Sequence, residues 1–210
     1  MATIVWATPD IDAKLTYMAR VSNPEGQAKN ERPERLIKYL LKHGHYSPFE
    51  MVNVCMEITT TRDIARQILR HRSFTFQEFS QRYAKAALAE PKAARMQDKV
   101  NRQSSLECTD TALTEWWDAE QVRLLHTAEA AYQAALDKGI AKEVARVVLP
   151  EGLTTSVMYM NGTLRSWIFY LKQRLDPSTQ LEHQLLAYKI DKALRTVAPL
   201  TMAAIDEVNA

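Results

Sequence analysis

A short run of strictly alternating residues limits the folds that are open to this chain. Residues 51–60 read MVNVCMEITT, and Val52, Val54, Met56 and Ile58 occupy every second position of the run. A period of two predicts a β-strand with one buried face, because successive side chains of a strand point to opposite sides. The chain must therefore build at least one sheet that is covered on one side.

Apolar residues at helical spacing occur on both sides of this strand. Residues 33–45 repeat apolar side chains at helical spacing, with Pro33 suited to the first turn and Gly44 to the stop. A second helix is predicted over residues 61–71, with Thr60 or Thr61 as its cap. The core stripe of this second helix is expected to comprise Ile64, Ala65, Ile68 and Leu69.

The second half of the chain adds one strand and four helices to the prediction. The strand is expected over residues 156–162, ending in a turn at Asn161-Gly162. Thr179 and Glu182 form a capping-box pattern at the start of the last helix. The helices are predicted over residues 128–136, 141–149, 163–174 and 179–197. This order indicates a single α+β domain over residues 1–210, with a small, mainly antiparallel sheet flanked by helices and a helical part.

Residues 84–110 break this regularity because they are polar and poor in large apolar side chains. A stretch of this length without a core pattern is typical of a disordered linker or of a functional lid. We therefore expect a mobile loop or insert at this position.

Charge and cysteine content exclude several classes of protein. The net charge is only +2, from 27 basic and 25 acidic residues, which disfavours a dedicated binder of nucleic-acid backbones. Cys55 and Cys108 form no zinc-ligand pattern, so no metal site is predicted, and Cys55 is expected to be a small core residue. No secretory leader and no run of about 18 apolar residues is visible, so we expect a cytoplasmic protein.

The stretch RHRSFTFQEFSQRY, residues 70–83, concentrates cationic and hydroxyl side chains. No GxSxG, GxGxxG or GxxxxGK[ST] pattern exists to supply a nucleophile elbow or a glycine-rich phosphate loop. Arginine forks remain as the phosphate ligands. Ser80 and Arg82, two apart in an extended loop, are expected to hold one phosphate, and residues 70–72 a second anionic group such as a cofactor diphosphate.

Simpler roles for the charged residues also remain open at this stage. Glu78 could pair with Arg72 or Arg82 as a surface salt bridge, and Arg174 could pair with a nearby acidic residue. Arg62 and Arg66 repel each other at helical spacing unless an anion or acidic partner is near, and a solvated basic face is the expectation for them.

The same stretch closely resembles the signature RHRxxSxNxxSxRY of flavin-dependent thymidylate synthases. Thr75 replaces the first serine of the signature and Gln77 replaces its asparagine. Further similarity covers HYSPFE at residues 45–50, EVARVVLP at residues 143–150 and the segment NGTLRSWIFYLKQRLD. Phe169 departs from the family, whose members usually carry His or Asn there, so a side-chain nitrogen beside the flavin is lost.

The resemblance implies methylation of dUMP at C5 to give dTMP. It implies FAD as cofactor, 5,10-methylenetetrahydrofolate as the carbon donor and NADPH as the hydride source. It also implies a homotetramer with FAD sites between subunits, and a reaction without an enzymic thiol. No nucleic-acid or membrane partner is expected.

The resemblance also assigns residues, and Arg174 is implied to be catalytic, at the uracil ring. The residues implied to bind the nucleotide are Gln67, Ile68, Leu69, Arg70, Glu78, Phe79, Ser80, Gln81, Arg82, Arg146 and Arg174. Those implied to bind FAD are Ser47, Arg70, His71, Arg72, Glu78, Thr163, Leu164, Arg165 and Phe169.

Two other functions remain as alternatives to thymidylate synthesis. A related enzyme of nucleotide modification would hydroxymethylate dUMP with the same cofactors, and the departures at Gln77 and Phe169 keep it open. A nucleic-acid-binding module would use RHR as a phosphate clamp. The near-neutral net charge and the lack of an aromatic stacking platform disfavour this alternative.

Overall fold

The computed structural model describes residues 1–209 and has the predicted α+β architecture. Four antiparallel strands form the main sheet in the order β1-β2-β6-β3. These strands are β1 (Ala2–Ala7), β2 (Asn53–Thr61), β3 (Thr75–Glu78) and β6 (Thr155–Thr163). A separate two-stranded hairpin consists of β4 (Arg95–Gln97) and β5 (Ser105–Glu107).

Nine α-helices accompany the strands in the described part of the chain. They are α1 (Ile11–Ala19), α2 (Pro24–Lys29), α3 (Pro33–Lys42), α4 (Arg62–Ile68), α5 (Thr111–Asp137), α6 (Lys142–Ala145), α7 (Leu164–Arg174), α8 (Leu181–Val197) and α9 (Pro199–Asn209). Short 3-10 turns occur at Ser47–Glu50, Arg146–Val148 and Glu151–Leu153. Within residues 1–209 no helix is both long and apolar enough to cross a membrane.

The strand predicted from alternation is confirmed as β2. Val52, Val54, Met56 and Ile58 are all fully buried, and Met56 pairs across the ladder with Met160 of β6. Burial of this face against the helices stabilises the sheet, at roughly 25 cal/mol per Å² of apolar surface removed from water. Cys55 is also buried, as expected.

The predicted turn at Asn161-Gly162 is wrong, because β6 continues through both residues to Thr163. Gly162 pairs with Val54, and its missing side chain makes room for Phe74. A Cβ at this position would lie 2.6 Å from Phe74 Cε1, so a glycine is required by the close approach of the ring. The glycine therefore serves packing and not chain reversal.

The first two predicted helices are present with one difference in their cores. Helix α3 begins at Pro33 and ends before Gly44, whose φ of 69° needs a glycine. Helix α4 follows Thr61 and buries Ile64, Ala65 and Ile68. Leu69 was predicted in the same stripe, but it lies after the last helical turn and is exposed.

The helices predicted at residues 128–136 and 141–149 are wrong in extent. The first is the end of the 27-residue helix α5, which begins at residue 111 because the Asp110 side chain accepts from the Leu113 N–H. The second is only the four-residue helix α6 and a 3-10 turn, since Pro150 prevents continuation. Most of α5 faces outward, so core periodicity could not reveal its length.

The segment predicted as a mobile insert contains the hairpin β4-β5. Leu88 forms a bridge with Thr154, and the Lys92 backbone N–H donates to Gln121 of α5 over 2.8 Å. These contacts tie the first part of residues 84–110 to the rest of the fold. Whether the segment moves stays a prediction.

Helices α7 and α8 pack against the main sheet. Thr163 caps α7 by accepting from the Ser166 N–H. The capping box predicted for α8 is wrong: the Thr179 hydroxyl donates to Gln173 O, and the helix begins only after Gln180. A longer loop therefore separates the two helices than the sequence indicated.

Candidate active site

Helix α4 sends side chains toward two separate groups of polar residues. Arg62 and Arg66 lie four residues apart and share one face of the helix. Gln67 is rotated by about 100° from Arg66, and it contacts His183 of α8. One short helix therefore connects the two parts of the candidate site.

The first part is a cavity of about 400 Å³, here called the arginine cavity. Three guanidinium groups face two carboxylates in it, which leaves an excess positive charge. Its lining comprises Arg62, Arg66, Gln81, Glu143, Arg146, Val147, Leu149, Glu151 and Thr154. An excess of arginine forks in a recess of this size suits a phosphate monoester or a similar anion.

Gln81 gives the arginine cavity an unsatisfied donor. The residue is 3% exposed, and its Nε2 group has no hydrogen-bond partner among residues 1–209. A buried amide N–H without an acceptor costs about 1–3 kcal/mol, so a ligand that supplies an oxygen would be stabilised here. This feature makes the cavity a stronger candidate for an anion site than its charge alone.

The loop between β3 and the hairpin is not extended at Ser80 and Arg82, contrary to the prediction. The Ser80 carbonyl accepts from the Tyr83 N–H over 3.2 Å, which closes a tight turn. The Ser80 hydroxyl also accepts from the backbone N–H of Arg82 at 3.4 Å. The Phe79 backbone N–H still donates to Val157 O of β6, and the chain leaves the sheet after this residue.

The ion pairs at this end differ from those considered from the sequence. Arg82 Nε donates to Glu143 Oε2 over 2.8 Å. Glu78 lies 3.7 Å from Arg62 Nη1 and accepts from the Ser156 hydroxyl over 2.6 Å, so it pairs with neither Arg72 nor Arg82. Both members of the Arg62–Glu78 pair are mostly covered, and the predicted solvated basic face is therefore wrong for Arg62.

Arg66 also has a carboxylate partner, Glu151. The prediction named neither Arg62 nor Arg66 as a site residue, although both line the arginine cavity. Their mutual repulsion at four-residue spacing was the signal that an acidic partner or an anion lies close by.

The second part of the site, here called the His71 group, consists of Arg174, His71, Tyr170, His183 and Gln67. Arg174 Nε donates to His71 Nε2 over 3.0 Å, so Arg174 has no acidic partner of the kind considered above. The Tyr170 ring packs edge-on against the His71 ring at 4.8 Å. Tyr170 and His183 are joined by a hydrogen bond of 2.9 Å, and both are almost fully buried.

Two imidazoles of the His71 group are held neutral. Burial, and then the positive charge of Arg174, lower the pKa of His71 to about 4. Burial lowers the pKa of His183 to about 3, with further contributions from Arg174 and His71. A neutral His71 can accept from Arg174 with Nε2, and neither Nη group of Arg174 bonds to a side chain among residues 1–209, so both can meet a ligand.

Part of the set predicted at FAD lies at or near the start of α7, whereas His71 lies in the His71 group and Glu78 beside Arg62. Arg165 pairs with Glu50 of the 3-10 turn at Ser47–Glu50 and stacks over the Phe169 ring at 5.5 Å. Phe169 is 41% exposed and packs against Tyr46 at 4.9 Å. The departure at Phe169 therefore places a partly exposed aromatic ring, covered by Arg165 and Tyr46, where relatives carry a nitrogen.

Not every predicted site residue presents its side chain to a ligand. Ile68 and Leu164 are fully buried in the core, so any contact they make is through the backbone. Arg72, in contrast, is exposed and has no partner among the described residues. Tyr170 and His183 were not predicted, because their association depends on how α7 packs against α8.

Comparison with known proteins bears on the family to which the chain belongs. A family model described as thymidylate synthase complementing protein matches residues 3–200. The probable flavin-dependent thymidylate synthase of Paramecium bursaria Chlorella virus 1 is 45% identical over 195 residues, which cover 92% of this chain and 90% of that protein. The chain belongs to the flavin-dependent thymidylate synthase family. The flavin-dependent thymidylate synthase of Synechocystis sp. is 44% identical over 192 residues, covering 91% of this chain and 88% of its own length.

A solved structure matches the whole fold of this family member. The UMP/dUMP methylase PolB from Streptomyces cacaoi, bound with 5-Br dUMP, superimposes with a TM-score of 0.86 at 27% identity. The match covers 99% of this chain and 94% of PolB. The same enzyme bound with 5-Br UMP gives a TM-score of 0.85.

Proposed function

We propose that the chain catalyses the reductive methylation of dUMP to dTMP. In this reaction 5,10-methylenetetrahydrofolate donates the carbon, FAD is the bound cofactor and NADPH is the reductant. The observation that carries the proposal is the arginine cavity, in which Arg146 of the family resemblance lies with Gln81, whose buried Nε2 donor has no acceptor among residues 1–209. Family membership supplies the reaction, and the cavity supplies a place for its anionic substrate.

The phosphate of dUMP is assigned to the arginine cavity. Arg146 and Arg62 provide guanidinium donors, and Gln81 Nε2 provides a neutral one. Arg82 is held by Glu143 at the rim, where a phosphate would compete for its fork. Binding would exchange protein ion pairs for charge-assisted bonds to the ligand.

The uracil ring is assigned to Arg174 in the His71 group. The bond from Arg174 Nε to His71 fixes the plane of the guanidinium, and its two Nη groups form a fork. A fixed cation at a ring carbonyl and N3 stabilises negative charge that develops when C5 acts as the nucleophile. Cys55 supports a route without a thiol, because burial raises the pKa of this sulfhydryl and keeps it protonated.

The chain's residues also fit a flavin dinucleotide. Arg70, Arg72 and Arg165 can neutralise a diphosphate, and Ser47 and Thr163 add hydroxyl groups close by in the fold. The buried Oδ1 of Asn161, two residues before Thr163, accepts from no donor in the described part of the chain and matches an N–H of a flavin ring. When bound, FAD supplies the two-electron transfer between NADPH and the nucleotide that converts a methylene into a methyl group.

We also propose that the active unit is a homotetramer with sites shared between subunits. Among the described residues, no hydrogen bond or ion pair joins the arginine cavity to the His71 group. In addition, α5 buries only Gln121, Ala128 and Tyr132 and exposes Trp116 and Leu124. A long helix with this many exposed apolar side chains needs a partner, and a second copy would cover it.

Light scattering tests the assembly. The protein should elute at four times its chain mass of 24.0 kDa. Trp116→Glu should lower that mass, whereas Val100→Glu, at an exposed loop position, should leave it unchanged. A monomer in the parent protein would contradict the proposal.

Calorimetry tests the substrate assignment. The protein should bind dUMP but bind deoxyuridine far more weakly, since the nucleoside lacks the phosphate. Arg146→Met should weaken dUMP binding by about 1.5–3 kcal/mol, the range for a hydrogen bond to a charged group. The control Arg123→Met removes a surface arginine of α5 and should not change the affinity. Equal affinity for dUMP and deoxyuridine would overturn the assignment.

A further inference from the structure

A chain of hydrogen bonds runs through Gln67 from a buried end at Tyr170 and His183 to an exposed end at Glu182. Tyr170 and His183 are 1% and 0% exposed, and their side chains are 2.9 Å apart. His183 Nδ1 lies 3.0 Å from Gln67 Oε1. The Gln67 Nε2 group donates to Gln180 Oε1 over 2.7 Å, and Gln180 donates to Glu182 over 2.8 Å.

The direction of every bond in this chain follows from its acidic end. A carboxylate such as Glu182 only accepts, so Gln180 must turn its amide N–H toward it and its carbonyl toward Gln67. Gln67 therefore donates to Gln180 and must accept from His183 through Oε1. This leaves His183 with a proton on Nδ1 and a lone pair on Nε2, which accepts from the Tyr170 hydroxyl.

The protonation states of the buried pair agree with this direction. The pKa of His183 is lowered to about 3, chiefly by burial and then by Arg174 and His71, so the ring is neutral and carries one N–H. Burial raises the pKa of Tyr170, so its hydroxyl keeps the proton that it donates. Each group in the chain thus has the donor or the acceptor that its neighbour needs.

We propose that Tyr170 and His183 are positioning residues that orient the amide of Gln67 toward the nucleotide. With its carbonyl held by His183 and one N–H held by Gln180, Gln67 keeps one N–H for an oxygen of the ligand. The inference rests on the proposed function and on the contact with dUMP that the family resemblance implies for Gln67. The ligand group it selects is an acceptor, such as a pyrimidine carbonyl, a sugar hydroxyl or a phosphate oxygen.

The same pair also supports the second binding side chain of the His71 group. Tyr170 and Arg174 lie four residues apart on α7, and the Tyr170 ring packs against His71, the acceptor for Arg174. The same buried pair, Tyr170 and His183, therefore supports both Gln67 and Arg174. Such support from behind fixes binding groups more tightly than surface contacts can.

The test removes the donor to Gln67 together with the Tyr170 hydroxyl, which would otherwise stay buried without its partner. Tyr170→Phe/His183→Leu replaces both members of the pair by apolar groups, an exchange that is often nearly neutral for stability. It keeps the aromatic ring against His71. Calorimetry with dUMP on the folded variant should show an affinity lower by about three- to tenfold, the equivalent of one neutral hydrogen bond.

A double-mutant cycle with Gln67→Met separates positioning from general packing. Gln67→Met should weaken dUMP binding as much as the Tyr170/His183 change, and combining them should add nothing further. His183→Asn, which retains an N–H near the position of Nδ1, should restore part of the affinity relative to His183→Leu. These readouts do not depend on catalysis.

The outcomes also separate this inference from the proposed function. If Gln67→Met weakens dUMP binding while the Tyr170/His183 change does not, or if the effects are additive, the positioning role is wrong. If Gln67→Met has no effect, Gln67 does not contact dUMP and the inference fails with that assignment. An arginine-cavity variant such as Arg146→Met then shows whether the nucleotide still binds as proposed.

Discussion

Acid should destabilise this protein through His183. The pKa of His183 is about 3 in the fold against an ordinary value of 6.5, so the unfolded chain takes up a proton first as the pH falls. Stability is fully present above about pH 6.5 and declines as the pH falls toward 3, by up to about 1.4 kcal/mol per pH unit. At pH 5 the loss from this one residue should be about 2 kcal/mol relative to pH 8.

The environment of His183 makes this expectation specific. Arg174 of α7 and His71 after α4 face it with positive or potentially positive charge, and Tyr170 of α7 is its neutral partner. No carboxylate among the described residues bonds to the ring, so an imidazolium would be buried without a counter-ion. Burial of an unpaired charge is strongly unfavourable.

The assay is urea unfolding at pH 8, 7, 6 and 5, at one protein concentration, followed by tryptophan fluorescence. Trp167 is fully buried and should report unfolding. The Tyr170→Phe/His183→Leu variant is the control, because it cannot titrate at this position. His71 also has a depressed pKa, but it titrates in both proteins and its contribution cancels. An equal loss of stability in the parent and the control between pH 8 and 5 would refute the reasoning.

Four further outcomes are expected. Arg174→Lys keeps the charge but loses the fork, so dTMP formation should fall by about 10²–10³-fold while NADPH oxidation is less affected. A proportional loss of both reactions, measured separately, would contradict the role of Arg174 at the uracil ring. Gly162→Ala should lower the unfolding free energy by about 1–3 kcal/mol through overpacking, and unchanged urea midpoints would refute the packing account. Residues 84–110 should exchange amide hydrogens faster before dUMP and FAD are added than after; equal protection would show a rigid insert. The double change Cys55→Ala/Cys108→Ser should retain dTMP formation in folded, yellow protein, and loss of activity there would contradict a thiol-free reaction.

Local patterns in the sequence were sufficient for the elements that bury one regular face. The alternation around Met56 predicted β2, and Pro33 with Gly44 marked both ends of α3. The arginines of the signature were predicted to be phosphate ligands because few other side chains offer a bidentate fork, and that assignment stays a prediction. These features depend on residues that are close in the chain.

The features that the sequence did not predict depend on distant residues. Gly162 was mistaken for a turn, because the ring that occupies its missing side-chain space belongs to Phe74, far earlier in the chain. The partner of Arg82 is Glu143, and the partner of Gln67 is His183. The predicted helix covered only the end of α5, because the exposed part of α5 carries no periodic pattern of core residues. In each case tertiary packing decides what the residue does.

The product formed from dUMP tests the central claim most directly. Protein loaded with FAD is mixed with dUMP, 5,10-methylenetetrahydrofolate and NADPH, and the nucleotide is analysed by mass spectrometry while NADPH absorbance is recorded. The account predicts dTMP, with one NADPH consumed for each methyl group formed. Hydroxymethylated dUMP without matching NADPH consumption would contradict the reductive step, and unchanged dUMP in yellow, dUMP-binding protein would contradict the proposed function itself.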